Sequence, residues 1–450
     1  MALDPKAFKA YDVRGLYPSE LDETGAYAVA RAYVEEFEPT SIVVGRDMRV
    51  SSPAMADAVM RGAADAGAEV EDVGMIGTEM LYFGVGELDA DGGIMVTASH
   101  NPKEYTGMKI VRRGALPVGG DSGLLEIRDR ALSIQDTPGS DPAMSETVDI
   151  YPAFVERVLS FIDVGEVKPL RVVIDAGNGM AGAMLPPILE RLPVDAVRCF
   201  FEPDGSFPNH EPNPLLPENR EFVMSKVREE RADLGIAFDG DADRCFFVDE
   251  AGEFVAGDFV TALLAESMLE KEPGAKIIYD VRASWAVPDV VESHGGTALV
   301  NRVGHAFIKE RMRKEGALFG GEVSGHYYFR EFWCADSGTI PALLMLELLS
   351  VEGRSLAELM AEFRSRYFIT GELNTPVPDV ALKLQELKEH FADEGDISHL
   401  DGISVTAEDW HMNVRPSNTE PLLRLNLEAR TPELMASKRD EVVAVISGGG

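Results

Sequence analysis

One local plan occurs three times along the chain: an apolar, β-branched run, a turn carrying Gly, Asp or Arg, and then a stretch with helical spacing. The first is Ser41-Ile42-Val43-Val44-Gly45-Arg46-Asp47 leading into 54–67. The second is Leu170-Arg171-Val172-Val173-Ile174-Asp175-Ala176-Gly177 leading into 182–192, and the third Ala275-Lys276-Ile277-Ile278-Tyr279-Asp280-Val281-Arg282 leading into 286–294. Runs of this kind followed by helical periodicity are the mark of βα units. Their recurrence at roughly hundred-residue intervals predicts three related α/β domains in tandem, each a mixed sheet in an α/β/α sandwich. After Thr375-Pro376-Val377-Pro378 the pattern changes to a helix over 380–391, strands near 402–406 and 422–427, and a last helix over 432–445. That predicts a smaller C-terminal α+β domain, its terminal Gly448-Gly449-Gly450 frayed.

A chain of 450 residues exceeds what one core can organise, which agrees with a multidomain reading. The loop Asp136-Thr137-Pro138-Gly139-Ser140-Asp141-Pro142 predicts the first boundary, with a helix over 151–162 beyond it. A second boundary is expected near Glu250-Ala251-Gly252-Glu253, and helices over 339–350 and 355–367 close the third unit. The expected domains are therefore 1–145, 146–250, 251–370 and 371–450.

Hydrophobic residues make up 45% of the chain without any run that spans a bilayer, and the first residues carry no signal pattern. A cytoplasmic protein is expected. Cys199, Cys245 and Cys334 are too few and too scattered for a disulfide framework or a cysteine zinc site, so buried thiols in a reducing compartment are expected. The net charge of −35, with the basic residues mostly Arg, repels nucleic acid and anionic membranes. Concentrated salt shortens the Debye length and relieves the self-repulsion, so the composition points to a high-salt cytoplasm such as that of a halophilic archaeon.

Four stretches carry chemistry. Thr97-Ala98-Ser99-His100-Asn101-Pro102 ends the apolar run Gly93-Ile94-Met95-Val96, so a strand would deliver Ser99 and His100 to its C-terminal tip, where ligands of open α/β sheets bind. Ser99 is a candidate nucleophile, with an ordinary loop as the alternative. In Asp239-Gly240-Asp241-Ala242-Asp243-Arg244 three carboxylates at alternate positions can converge on a hard cation, for which Mg²⁺ fits best. A solvated acidic turn remains the alternative; an EF-hand is excluded because Arg244 stands at its glycine and Cys245-Phe246-Phe247-Val248 reads as a strand. Val303-Gly304-His305 precedes a helical run from Ala306, and Gly320-Gly321-Glu322-Val323-Ser324-Gly325-His326 sets a carboxylate, a hydroxyl and an imidazole on a glycine-hinged loop suited to vicinal hydroxyls. Arg415-Pro416-Ser417-Asn418-Thr419-Glu420-Pro421, with Arg424, offers guanidiniums, hydroxyls and an amide to a phosphate; a structural proline turn explains the same residues singly.

In order and wording these stretches resemble the α-D-phosphohexomutase superfamily, and within it the phosphomannomutase/phosphoglucomutase group. The likeness runs from Phe8-Lys9-Ala10-Tyr11-Asp12-Val13-Arg14-Gly15 to Arg424. It implies four domains around a central cleft in which Ser99, phosphorylated, gives its phosphate to a hexose phosphate and takes another back from a hexose 1,6-bisphosphate, which also serves as activator. By the same resemblance Ser99, Asp239, Asp241 and Asp243 would bind one Mg²⁺, with Arg14 and Arg244 as fixed positive charges. Lys109 (in Gly107-Met108-Lys109) and His326 would be the acid/base candidates, the lysine with its pKa lowered by the cations around it. His100, His305 and Gly304 would position phosphate or hydroxyls, Glu322 and Ser324 would grip the sugar, and Arg415, Ser417, Asn418, Thr419 and Arg424 would hold the idle phosphate. Arg282 and Arg302 would add positive charge.

The expected partner is a small sugar phosphate, with no nucleic acid or membrane, on a monomer or weak homo-oligomer. Val323 departs from the Met more usual in the group. Phosphoglucosamine mutase is the alternative within the superfamily; a metal phosphatase and a silent sugar-phosphate sensor are the readings outside it.

Overall fold

A computed structural model describes residues 2–135, 145–417 and 421–448. The expected linker from Asp136 to Pro142, and Gly449-Gly450 at the tail, lie outside the described residues. The chain forms two compact units, one of Met1–Phe254 with Ser324–Leu356, the other of Val255–Val323 with Ala357–Gly450. The stretch expected as a third domain, 251–370, thus contributes to both units, which part between Val323 and Ser324.

In the first unit the apolar run at 42–44 becomes the strand Ser41–Arg46, parallel to Glu69–Met75 on one side and to Gly92–Val96 on the other. Tyr105–Arg112 returns antiparallel beside Gly92–Val96 and pairs with Val13–Leu16, giving the mixed sheet expected. Alternation sorts its residues. Ile42, Val44, Ile94 and Val96 join one core with the helices Glu23–Phe37 and Ser52–Asp65. Val43 and Gly93 face the opposite way, where Leu81, Gly84 and Val85 of the helix Thr78–Glu87 close on them. Both faces are covered, so the strands read as continuous apolar runs.

The second sheet orders Cys245–Val248, Leu234–Phe238, Arg171–Asp175 and Asp195–Cys199, antiparallel at the first pairing and parallel thereafter. The helix expected over 182–192 is broken into the turns Ala181–Met184 and Pro186–Leu189, because Pro186-Pro187 cannot supply the N–H groups of a continuous helix. The short ladder of Tyr327–Phe329 with Ala335–Asp336 and the helix Thr339–Glu352, buried along most of its length, complete this unit.

The second unit sets Lys276–Asp280 between Thr297–Asn301 and Phe319–Gly321, all parallel, with the helices Gly257–Lys271, Ala286–Ser293 and His305–Glu315. Its C-terminal part is an antiparallel sheet in which Leu422–Ala429 pairs with Leu373–Pro376 and Trp410–Pro416, the latter followed by Ile403–Thr406. Leu387 and Val442 of the helices Val380–His390 and Pro432–Ser447 seal its core. The strand Trp410–Pro416 was not expected, although apolar Trp410, Met412 and Val414 alternate along it and join the core. Among the described residues no helix is long and apolar enough to cross a membrane, and all three cysteines are free and buried.

Candidate active site

The strand Gly92–Val96 ends where the sequence placed the nucleophile. Beyond it Ser99 takes a left-handed backbone, φ 49°, a conformation that a non-glycine residue adopts only when its surroundings impose it. Thr97 Oγ1 accepts the Ser99 N–H at 2.9 Å. The larger constraint is Arg49, which sequence reasoning missed. Its side chain is 1% exposed, and Nη2 donates to the carbonyls of Ser99 (2.8 Å) and Asn101 (2.7 Å). Nη1 donates to Pro102 (2.8 Å) and Tyr105 (3.2 Å). Asp47 stands 3.2 Å from Nε, and the ring of Phe207 lies 5.2 Å from the guanidinium carbon. One buried cation thus gathers four carbonyl oxygens and fixes the loop. The available signal was a second arginine just past the strand, in Arg46-Asp47-Met48-Arg49.

The strand Leu234–Phe238 delivers the aspartate turn to the same place. Ser99 Oγ donates to Asp239 Oδ2 at 3.0 Å. A Cβ on Gly240 would stand 2.5 Å from the Ser99 carbonyl oxygen, so only glycine lets the two loops meet. Lys109 Nζ bridges Asp241 Oδ2 (2.7 Å) and Asp243 Oδ2 (2.5 Å), while Arg244 donates to Asp239 Oδ2 through Nε at 2.9 Å. Thr78 Oγ1 also donates to Asp241. Asp239, Asp241 and Asp243 each offer an oxygen within 4.8 Å of the others. Asp241 Oδ1 and Asp243 Oδ1 are buried and lack a hydrogen-bond partner among the described residues. Hard oxygen donors with orphaned lone pairs in a buried cluster fit Mg²⁺.

Burial raises the Asp239 carboxyl; Arg244 opposes the shift, and the charges of Asp241 and Asp243 reinforce it. Burial also acts on Asp241, but Lys109 outweighs it and drives that carboxyl well below the usual range. For Lys109 the expected direction is reversed. Burial disfavours its ammonium, yet Asp241, Asp243 and Asp336 overcome that and hold its pKa above the ordinary lysine value. The expectation weighed the cations around this lysine and neglected the carboxylates touching it. His100 Nδ1 lies 3.1 Å from Ser99 Oγ, and burial, with Arg244 and Arg14, keeps this imidazole neutral.

Arg14 reaches the loop through Asn101, donating to its Oδ1 at 2.6 Å, and pairs with Asp12. His326 Nδ1 lies 2.9 Å from Asp336 Oδ2 and 3.9 Å from Asp243 Oδ1. Asp336, buried on its short strand, is the second residue that sequence reasoning missed. Ser324 lies in this unit, half-buried, before Gly325 (φ 84°), where a Cβ would come within 2.6 Å of the Phe246 ring.

The remaining candidates belong to the second unit. Glu322 is buried and accepts the Gly304 N–H at 2.9 Å; His305 starts the helix that follows. Asp280 grips Arg282 at Nε (2.8 Å) and Nη2 (2.9 Å) and also accepts the N–H groups of Arg282 (2.8 Å) and Val323 (2.9 Å). Arg415 and Arg424 are cross-strand partners, and Arg424 Nη2 donates to Ser417 Oγ at 3.4 Å. A carboxylate not foreseen from the sequence, Glu372, accepts from both arginines. Arg302 lies over the ring of Phe307. Asn418 and Thr419 fall outside the described residues.

The chain matches four profiles of one family. These are the alpha/beta/alpha domains I, II and III of phosphoglucomutase/phosphomannomutase over residues 5–137, 152–252 and 256–367, and its C-terminal domain over 372–445. A phosphomannomutase of Salmonella montevideo is 45% identical over 449 residues, covering 98% of each chain. A protein of Xanthomonas campestris described as phosphohexose mutases is 44% identical over 444 residues, covering 98% of this chain and 99% of its own. The crystal structure of a phosphoglucomutase/phosphomannomutase family protein from Burkholderia thailandensis superposes with a TM-score of 0.90 at 32% identity, over 100% of this chain and 99% of that one. These relatives are bacterial and lend no support to an archaeal source.

Proposed function

The chain belongs to the phosphoglucomutase/phosphomannomutase family and is an isomerase, and from that premise we propose that it moves phosphate between O1 and O6 of mannose or glucose phosphates through Ser99. The observation that carries this reading is Ser99 Oγ at 3.0 Å from Asp239, inside a cluster where Lys109 spans Asp241 and Asp243.

Phosphorylated Ser99 is the donor: its P–O bond breaks as a new one forms to a hexose hydroxyl. The left-handed backbone and the Arg49 clamp fix the donor oxygen, so alignment is built in before the sugar arrives. Lys109, Arg244 and Arg14 supply positive charge to the phosphoryl oxygens, and His100, neutral, positions Ser99 Oγ without adding to that charge. His326, its ring held by Asp336, takes the proton of the attacking hydroxyl and returns it when the other phosphate comes back to Ser99. Asp239, Asp241 and Asp243, with an oxygen on phosphorylated Ser99, would hold Mg²⁺, which when bound draws charge from the transferring group. Glu322, with Ser324, grips sugar hydroxyls. Arg415, Ser417, Asn418, Thr419 and Arg424 hold the idle phosphate, with Arg282 and Arg302 adding charge and His305 and Gly304 shaping the approach.

The same reading has hexose 1,6-bisphosphate as activator and the enzyme as a cytoplasmic monomer or weak homo-oligomer. The relatives' names favour it over a phosphoglucosamine mutase. The test is a coupled assay of glucose 1-phosphate and mannose 1-phosphate with Mg²⁺ and a trace of bisphosphate. Ser99→Ala is expected to lose at least about 1,000-fold in turnover. Wild-type turnover by that variant overturns the mechanism, and release of free phosphate as the main product returns the metal-phosphatase reading. We also read the acidic surface as salt adaptation; turnover and melting temperature indifferent to molar KCl would refute that.

A further inference from the structure

The reading above gives Arg415 and Arg424 to a substrate phosphate, with Arg282 adding charge. The structure sets a carboxylate in the midst of these three. Glu372 Oε1 accepts from Arg424 Nη1 at 3.0 Å, and Oε2 accepts from Arg415 Nη2 at 3.3 Å. Arg282 Nη1 stands 3.7 Å from the same Oε2. Burial, Arg282 and Arg424 lower the pKa of Arg415, and Glu372 opposes them, so this carboxylate relieves repulsion within the cluster.

A phosphate dianion bound here would reach the same guanidiniums, of which Arg415 Nε and Arg424 Nε are buried without a hydrogen-bond partner among the described residues, and would come beside the Glu372 carboxylate. The two anions compete: like charges a few ångströms apart repel strongly where water is scarce. Three carboxylates stand against these arginines; Glu322, 3.9 Å from Arg282 Nη2, is buried and accepts the Gly304 N–H, which leaves Asp280 and Glu372 to compare. Asp280 is fully buried and accepts two backbone N–H groups besides the Arg282 side chain. Glu372 has a side chain 24% exposed, its ties are to guanidiniums, and it sits one residue ahead of the strand Leu373–Pro376.

We propose that Glu372 is an internal competitor for the idle phosphate. It keeps the three guanidiniums assembled and caps how tightly they grip, so that a doubly phosphorylated sugar is released readily enough to rebind by its other end. Each capture of phosphate displaces Glu372, and each release restores its ion pairs. This inference rests on the phosphate role proposed for Arg415 and Arg424.

The experiment titrates the full chain with inorganic phosphate by calorimetry, at fixed ionic strength and without divalent ion. Glu372→Gln keeps shape and hydrogen-bonding capacity and removes the charge. It is expected to bind phosphate about tenfold more tightly, the factor that one charge-assisted contact sets. Its KM for hexose 1-phosphate should fall, with kcat unchanged or lower. Arg424→Gln is expected to weaken phosphate binding in either background. If Arg424→Gln leaves phosphate binding untouched, the underlying assignment of the arginines fails. If it weakens binding while Glu372→Gln fails to strengthen it, the arginines stand and the competitor does not. Weaker binding by Glu372→Gln likewise overturns the proposal, since Glu372 would then be an organiser of the site.

Discussion

The two charged clusters, one in each compact unit, are near inversions of one another. In the first, an ammonium lies between carboxylates: Lys109 bridges Asp241 and Asp243. In the second, a carboxylate lies among guanidiniums: Glu372 holds Arg415 and Arg424, with Arg282 close by. Charges kept away from water must be paired, so each cluster carries its own counter-ion. The difference lies in how those counter-ions are mounted. Lys109 projects from the middle of the strand Tyr105–Arg112, between Gly92–Val96 and Val13–Leu16, and is buried. Glu372 stands at the edge of a strand and is partly exposed. A counter-ion built into a sheet interior is permanent, whereas one on a connecting segment can be displaced. The first suits chemistry that needs fixed charge, the second a ligand that must come and go.

The sharpest test exchanges the permanent counter-ion. Lys109→Met is expected to cost about 100-fold in turnover, because it removes fixed charge from the transferring group and leaves two carboxylates facing each other. Calorimetry with Mg²⁺ should show binding retained or strengthened. If Lys109→Met and Glu372→Gln instead produce the same kinetic pattern, the distinction between fixed and displaceable counter-ions fails.

Arg49→Lys probes the frame of the first cluster. A lysine cannot serve four carbonyls at once, and unsatisfied buried acceptors are expected to cost about 3 kcal/mol in denaturant unfolding. Turnover should fall about tenfold with KM unchanged. An intact kcat in a destabilised variant would make Arg49 structural only.

The last test reads stability alone and concerns Ser284, two residues past Arg282. Buried Asp258 accepts the N–H of Ser284, and burial raises its pKa from the ordinary 3.8 to about 6. The native carboxyl therefore keeps its proton where the unfolded chain has lost it. Its contribution is full below pH ~4 and is lost as pH rises through ~6. Relative to the wild type, Asp258→Asn should gain about 3 kcal/mol between those limits, read from urea unfolding at several pH values. A difference that stays flat with pH would refute the protonated carboxyl.

What could be read from the sequence follows from what each feature depends on. The strands that carry Ser99 and Asp239 were legible because a strand covered on both faces is an apolar run, whatever lies elsewhere. Their end points were legible because Pro102 and Gly240 interrupt those runs. Arg49, Asp336 and Glu372 were not. In a chain with 77 acidic and 42 basic residues, one more charge reads as surface, and its partners are carbonyls or side chains that only the sheet order brings near. The strand Trp410–Pro416 was overlooked although its alternation is regular, because Asn413 and Arg415 broke the apolar impression. Lys109 was located correctly, but its proton affinity depends on which charges touch it, and spacing does not record that.

The grip of Arg49 has one more consequence. Its hold on the serine loop is through main-chain oxygens, and every residue type supplies those. The clamp is therefore independent of the side chain at 99, and the left-handed backbone there tolerates aspartate and asparagine better than most residues. Position 99 is a seat in a rigid holder: an aspartate placed in it would keep the clamp on its main chain, but would set a second carboxylate against Asp239, whose Oδ2 accepts the Ser99 hydroxyl.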